Sequence, residues 1–220
     1  MPAPRAVWHP AAPPRDGEAS VVLLGHGGRS HKTGERNARI APLLVRHGLT
    51  VVALDGPFHG DRAPVAGADY QELMVAEGVD VVLDRCGDEW LAVIAELQPA
   101  RVGYLGMSMG ARIGLHLAAR MGRDLDAAVL GKIGTRHSGL LHPGLDIPDL
   151  TLAAARAVQA PTLFHAERQD EIFPFAGQLA LYDALGSADT TLRARDGRHG
   201  TYRPDDESAW VAFLAARLTT

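Results

Sequence analysis

Cysteine is nearly missing: Cys86 is the single one in 220 residues. An internal disulfide is thereby excluded, and nothing in the cysteine usage argues for an oxidising compartment. Its neighbours, DRCGDEW, hold no second thiol and no metal-ligand spacing, so a half-buried helix cysteine is expected. Lysine is almost as scarce. Of 22 basic residues only Lys32 and Lys132 are lysines, an arginine-rich usage that reads as compositional bias and not as phosphate recognition. The net charge of −4 lacks the basic excess of a nucleic-acid binder. No apolar run approaches the ~20 residues needed to span a bilayer, and the opening MPAPRAVWHPAAPPRDGEAS lacks the apolar core of a signal peptide. The expectation is a cytoplasmic protein with neither a membrane nor a nucleic-acid partner.

What is present is length enough for one domain with a substantial core. We expect a Pro-rich segment over residues 1–18, with a short strand around RAVWH, and a single domain over 19–220. Short apolar runs recur at fairly even spacing: SVVLLG (20–25), TVVALD (50–55), RVGYLG (101–106), AAVLG (127–131), PTLFH (161–165) and TTLRA (190–194). Most lack polar alternation, as strands buried on both faces of a parallel sheet do. Between them lie helical patterns. ERNARIAPLLVRHG puts Ile40, Leu43 and Leu44 on one side before Gly48; VDVVLDRCGDEWLAVIAELQP, FAGQLALYDALGS and DDESAWVAFLAARL follow suit. Alternating strands and helices indicate an α/β domain with right-handed crossovers. Two stretches, 56–78 and 132–158, break the alternation. Both follow strands, so both should emerge at the carboxyl edge of the sheet, where open α/β folds place their sites.

The residues GMSMG, 106–110, fall between a strand and a helix and match G-x-S-x-G. In that setting a serine occupies a sharp strand-to-helix turn, flanked by glycines because side chains there would collide, with its hydroxyl raised above the sheet. The helix N-terminus supplies free N–H groups and partial positive charge where an oxyanion would form. A serine hydroxyl needs a base, and the base an orienting acid. His199, in the loop RARDGRHGTYR after the last strand, is the leading candidate of ten histidines; His59 and His137 also lie in carboxyl-edge loops and compete. His165 and His116 read as structural. For the acid, APTLFHAERQDEIFP offers Asp170 in the loop after its strand, with Glu167 as the substitute. Asp55 precedes the serine and more naturally braces its own turn. The first strand runs into GHGGRSHK, whose glycines let backbone N–H groups approach a bound oxygen, nominating Gly28 with Met109 as the oxyanion hole.

These segments resemble the α/β-hydrolase superfamily from about residue 18 onward: LLGHGG, VVALDGPFHGDR, GYLGMSMGARIGLHLAA, APTLFHAERQDEIFP and DGRHG, in that order. The layout is similar to the small dienelactone-hydrolase-like and carboxylesterase-like branch, although dienelactone hydrolases use cysteine where this chain has Ser108. The resemblance implies an eight-stranded or trimmed, mostly parallel sheet with helices on both faces. It implies no large cap, since about 30 residues separate AAVLG from PTLFH, and a triad of Ser108, Asp170 and His199 working on a small-molecule acyl substrate. Phe58, His59 and Tyr70 are expected to wall the pocket, and Arg29, His31 and Lys32, if they face it, would favour an acidic group. No metal or cofactor is called for, and oligomeric state is not readable.

Two other classes compete. GHGGRSHKT ends in Lys32-Thr33 as a P-loop would, but the two required glycines fall on His26 and His31. A binding or scaffold protein on the same fold, or an acyltransferase with the same triad, remains the alternative to an ester- or thioester-cleaving serine hydrolase.

Overall fold

The computed structural model describes residues 3–12, 19–64 and 68–219; part of the Pro-rich segment (13–18) and residues 65–67 of the 56–78 stretch lie outside the described residues. Seven strands form: β1 (Arg5–Trp8), β2 (Ser20–Leu24), β3 (Thr50–Leu54), β4 (Arg101–Met107), β5 (Ala127–Gly131), β6 (Thr162–Glu167) and β7 (Thr190–Arg195). Their order in the single sheet is β1-β3-β2-β4-β5-β6-β7. β1 runs antiparallel to β3, with Arg5 opposite Leu54, and every other pair is parallel. All six apolar runs became parallel strands, and RAVWH supplied the edge.

Consecutive residues of the central strands serve opposite faces. Val21 and Leu23 join one core while Val22 and Leu24 join the other, and Val52 and Leu54 alternate with Val51 and Ala53 in the same way. That is why these strands are apolar throughout: each side chain is buried whichever way the pleat turns it. Each valine or leucine among them contributes about 1.5–3 kcal/mol by leaving water.

Helices α1 (Glu35–Val45) and α7 (Pro204–Leu218) cover one face. The other carries α2 (Tyr70–Glu77), α3 (Val79–Leu97), α4 (Met109–Met121), α5 (Pro148–Ala157) and α6 (Phe175–Asp183). The 56–78 stretch holds a 3-10 turn at Gly60–Arg62 and then α2, and the 132–158 stretch a 3-10 turn at Pro143–Leu145 and α5. Among the described residues no cap domain lies over the carboxyl edge, and no helix is long and apolar enough to cross a membrane.

Candidate active site

At the end of β4 the chain turns into α4 through Ser108, which takes φ 59° and ψ −123°. A non-glycine residue there stores about 1–3 kcal/mol of backbone strain. The surrounding glycines are required by space. A Cβ on Gly106 would lie 2.5 Å from the Gly110 carbonyl oxygen, and one on Gly110 would lie 2.8 Å from the His26 carbonyl oxygen. Tyr104, fully buried, wedges beneath the turn and donates its hydroxyl to the Gly110 carbonyl at 2.6 Å. The turn therefore holds Ser108 at the top of the sheet with little freedom to relax.

β6 and β7 are neighbours, so the loops that follow them meet beside this turn. His199 Nε2 lies 3.0 Å from Ser108 Oγ, and its Nδ1 lies 2.9 Å from Asp170 Oδ2. The Asp170 carboxylate is fully buried. Its Oδ1 accepts the Ile172 and Phe173 N–H groups at 2.8 and 2.9 Å, which leaves Oδ2 for the histidine. Glu171 accepts the His199 backbone N–H at 3.0 Å, and that bond holds its carboxyl below the usual range. Among the described residues no other histidine bonds to Ser108.

Glu167 is occupied elsewhere. It accepts Arg203 at 2.9 Å and contacts Lys132 at 3.3 Å and His165 at 3.2 Å. Burial would raise its pKa, but Arg203, His165 and Lys132 together bring it below the ordinary value. His165 is buried against Trp210, ring centroids 5.1 Å apart, and His116 is a helix residue. Neither ring bonds to Ser108.

The Gly28 and Met109 N–H groups have no acceptor among the described residues. A Cβ on Gly28 would collide with the Tyr70 hydroxyl at 2.2 Å, so Tyr70 lies directly over this loop. Two buried histidines brace it from behind. His26 Nε2 accepts the Gly56 N–H at 2.8 Å while Nδ1 donates to the Gly27 carbonyl at 2.8 Å. Burial pushes His26 down to about 4, so the ring is neutral at physiological pH. His59 spans the Pro57 and Gly28 carbonyls at 2.6 and 2.8 Å.

Three side chains named from sequence as pocket walls thus part company. Tyr70 lines the cleft at Ser108. Phe58 packs against the core and His59 is committed to two carbonyls; neither lines the cleft. Both follow β3, but the turn at Gly56 folds them under the Gly28 loop. Arg29 does line the cleft. Lys32 does not: its ammonium is held by Asp55 at 2.6 Å and Asp61 at 2.7 Å. Asp55 also accepts the Lys32 and Asp61 backbone N–H groups, both at 2.9 Å, and so braces the turn as expected.

Lys132 carried no role in the sequence reading. It follows β5 with φ 53°, and its ammonium donates to the carbonyls of His199 at 3.0 Å and Thr201 at 2.6 Å. The histidine loop is thus hung from a buried cation. Burial lowers the Lys132 pKa and Glu167 partly offsets this. One signal was available: a lysine directly after a central strand, in a chain with only one other. His165, Glu167 and Asp206 also group closely enough to hold a metal, their ligand atoms within 4.8 Å. Arg203, Lys132 and Arg193 already take the carboxylate oxygens, however, Arg193 at 2.7 Å and Arg203 at 3.0 Å from Asp206. This donor set is neutralised by protein cations and does not fit a metal ion.

Two cavities open at Ser108. The larger, about 600 Å³, is a cleft of mixed polarity that includes Ser108, His199, Tyr70, Gln71, Arg29 and Thr201. The smaller, about 40 Å³, reaches between α2 and α4.

A sharp strand-to-helix turn at the head of a mostly parallel sheet, with loops converging on it, defines the α/β-hydrolase fold. Residues 14–195 match the model of the dienelactone hydrolase family, and the chain belongs to that family. A cold-adapted esterase from an Arctic intertidal metagenomic library superposes with a TM-score of 0.81 at 30% identity, over 98% of this chain and 88% of that one. TT1662 from Thermus thermophilus shares the fold, with a TM-score of 0.74 at 22% identity over 99% and 94%. An uncharacterized protein of Mycobacterium tuberculosis is 27% identical over 173 residues, 72% of this chain and 55% of that one. The chain thus spans about half the length of the curated relatives it matches.

Proposed function

We propose that the chain hydrolyses carboxylic esters or thioesters through an acyl-enzyme on Ser108, with His199 as general base and Asp170 as its orienting acid. The observation that carries this reading is the relay of 2.9 and 3.0 Å contacts from Asp170 through His199 to the Ser108 hydroxyl. His199 Nε2 takes the hydroxyl proton as Oγ attacks the carbonyl carbon. The C=O pair becomes an oxyanion facing the Gly28 and Met109 N–H groups, each such donor lowering the barrier by about 3 kcal/mol. When the tetrahedral species collapses, the bond to the leaving oxygen or sulfur breaks and His199 returns the proton to that atom. Water then repeats the sequence on the acyl-enzyme, releasing the acid and restoring Ser108. Asp170 orients the ring and stabilises the imidazolium.

The test is release of p-nitrophenol from p-nitrophenyl acetate by wild type and by Ser108→Ala. Turnover in wild type, lost in a variant with an unchanged melting curve, supports the reading. Equal turnover in the two proteins overturns it.

A further inference from the structure

The two cavities at Ser108 differ in one contact that decides their roles. The leaving oxygen must receive its proton from His199 Nε2, so the alcohol part of a bound ester lies on the His199 side. The large cleft includes His199 in its wall; the small cavity touches Ser108 and Met109 but not His199. With the carbonyl oxygen turned toward the Gly28 and Met109 N–H groups, the acyl substituent has the small cavity left to it.

That cavity is about 40 Å³. On the same scale about 10–15 Å³ admits one water molecule and about 150 Å³ admits benzene. The space therefore suits a short alkyl group such as methyl or ethyl and is too small for a ring. Its walls do not yield readily. Met74, Leu145 and Phe173 are 2%, 4% and 2% exposed and belong to the main core, where packing leaves no slack. Arg112 is fixed by its bond to the Leu145 carbonyl at 3.0 Å, and Tyr70 and Leu141, which also line the large cleft, form the rest of the wall. The cleft on the alcohol side is some fifteen times larger by these volumes and carries charges of both signs, such as Arg29 and Glu171, with the neutral amide of Gln71.

We propose that the substrates are esters of two- or three-carbon acids, acetyl or propionyl, on a much larger polar alcohol. The proposal rests on the acyl-enzyme reading above and adds the chain-length limit and the direction in which the ester binds.

Two measurements on the wild-type protein test it. Across p-nitrophenyl acetate, propionate, butyrate and hexanoate, kcat/KM should fall about tenfold or more for the step beyond propionate, the scale on which a filled pocket rejects a methylene. The isomers benzyl acetate and methyl phenylacetate have similar intrinsic reactivity and reversed bulk; the acetate should be preferred by about tenfold or more. Leu145→Ala and Met74→Ala, checked by melting curves, should narrow the acetate-to-hexanoate ratio, and either folded variant suffices. Hexanoate cleaved as fast as acetate, or methyl phenylacetate preferred, overturns this inference while leaving the acyl-enzyme reading intact. Wild-type protein that is folded, cleaves none of these esters and takes no serine-directed label overturns the acyl-enzyme reading itself.

Discussion

Replacing Lys132 by Met removes the buried ammonium that bonds the His199 and Thr201 carbonyls at 3.0 and 2.6 Å while keeping most of the side-chain volume. Hydrogen bonds to a charged group contribute about 1.5–3 kcal/mol each, which bounds the loss at about 3–6 kcal/mol for the pair. Removing the ammonium also relieves its burial cost, bringing the expected net loss to about 2–3 kcal/mol. Glu167 retains Arg203 as a partner, so no bare carboxylate is left behind. For a chain of this size that net loss lowers Tm by about 4–12 °C. The larger effect is on chemistry: a shift of about 1 Å in His199 costs about a hundredfold in rate. Expected, therefore, is a folded variant with kcat for p-nitrophenyl acetate down about a hundredfold and KM changed far less. The assay is steady-state kinetics well below the variant's Tm, with the rate of serine labelling by a fluorophosphonate as a second readout. A folded Lys132→Met protein with kcat within about threefold of wild type would refute the claim that this cation positions the histidine.

Asp170→Asn should lower kcat by about ten-thousandfold, since an amide favours the wrong imidazole tautomer, whereas Glu167→Gln should act mainly on stability; a near-silent Asp170→Asn beside a crippled Glu167→Gln would reassign the acid. Stability should fall on acidification from pH 6.5 toward 4. His26 and His116 are each depressed by burial from 6.5 to about 4, so in that window the unfolded chain binds their protons and the folded one does not. The gap amounts to about 3 kcal/mol per group at most. Asp55, Asp206 and Glu167 have lowered pKa values, so their contribution is lost only below their ordinary values of 3.8, 3.8 and 4.5. Urea midpoints from pH 7.5 to 4.5 should therefore decline in wild type and decline less in His116→Gln; a flat profile would contradict the burial argument.

The strands were legible because burial on both faces leaves an unbroken apolar run, and Val21 to Leu24 show that pattern directly in the sequence. Ser108 was legible because Gly106 and Gly110 are demanded by contacts under 3 Å, and geometry that strict leaves a fixed spacing. The meeting of Asp170 and His199 followed from strand order, as β6 and β7 are adjacent. Pocket walls were harder. Phe58 and Tyr70 both lie in the stretch after β3 and both pack against the core, and only the path of the chain after Gly56 decides that Tyr70 also reaches the cleft while Phe58 does not. The role of Lys132 was hidden for a different reason: its place after β5 was a hint, but its partners are backbone carbonyls, and a carbonyl leaves no trace in residue identity. The division of the site into a small and a large cavity is likewise a matter of packing between α2 and α4, which no local pattern encodes.

Whether Ser108 is an activated nucleophile is read from intact mass after treatment with a fluorophosphonate, on wild type and on Ser108→Ala. A single adduct is expected on wild type and none on the variant. A folded wild type that takes no adduct, or a variant that takes the same one, would contradict that expectation.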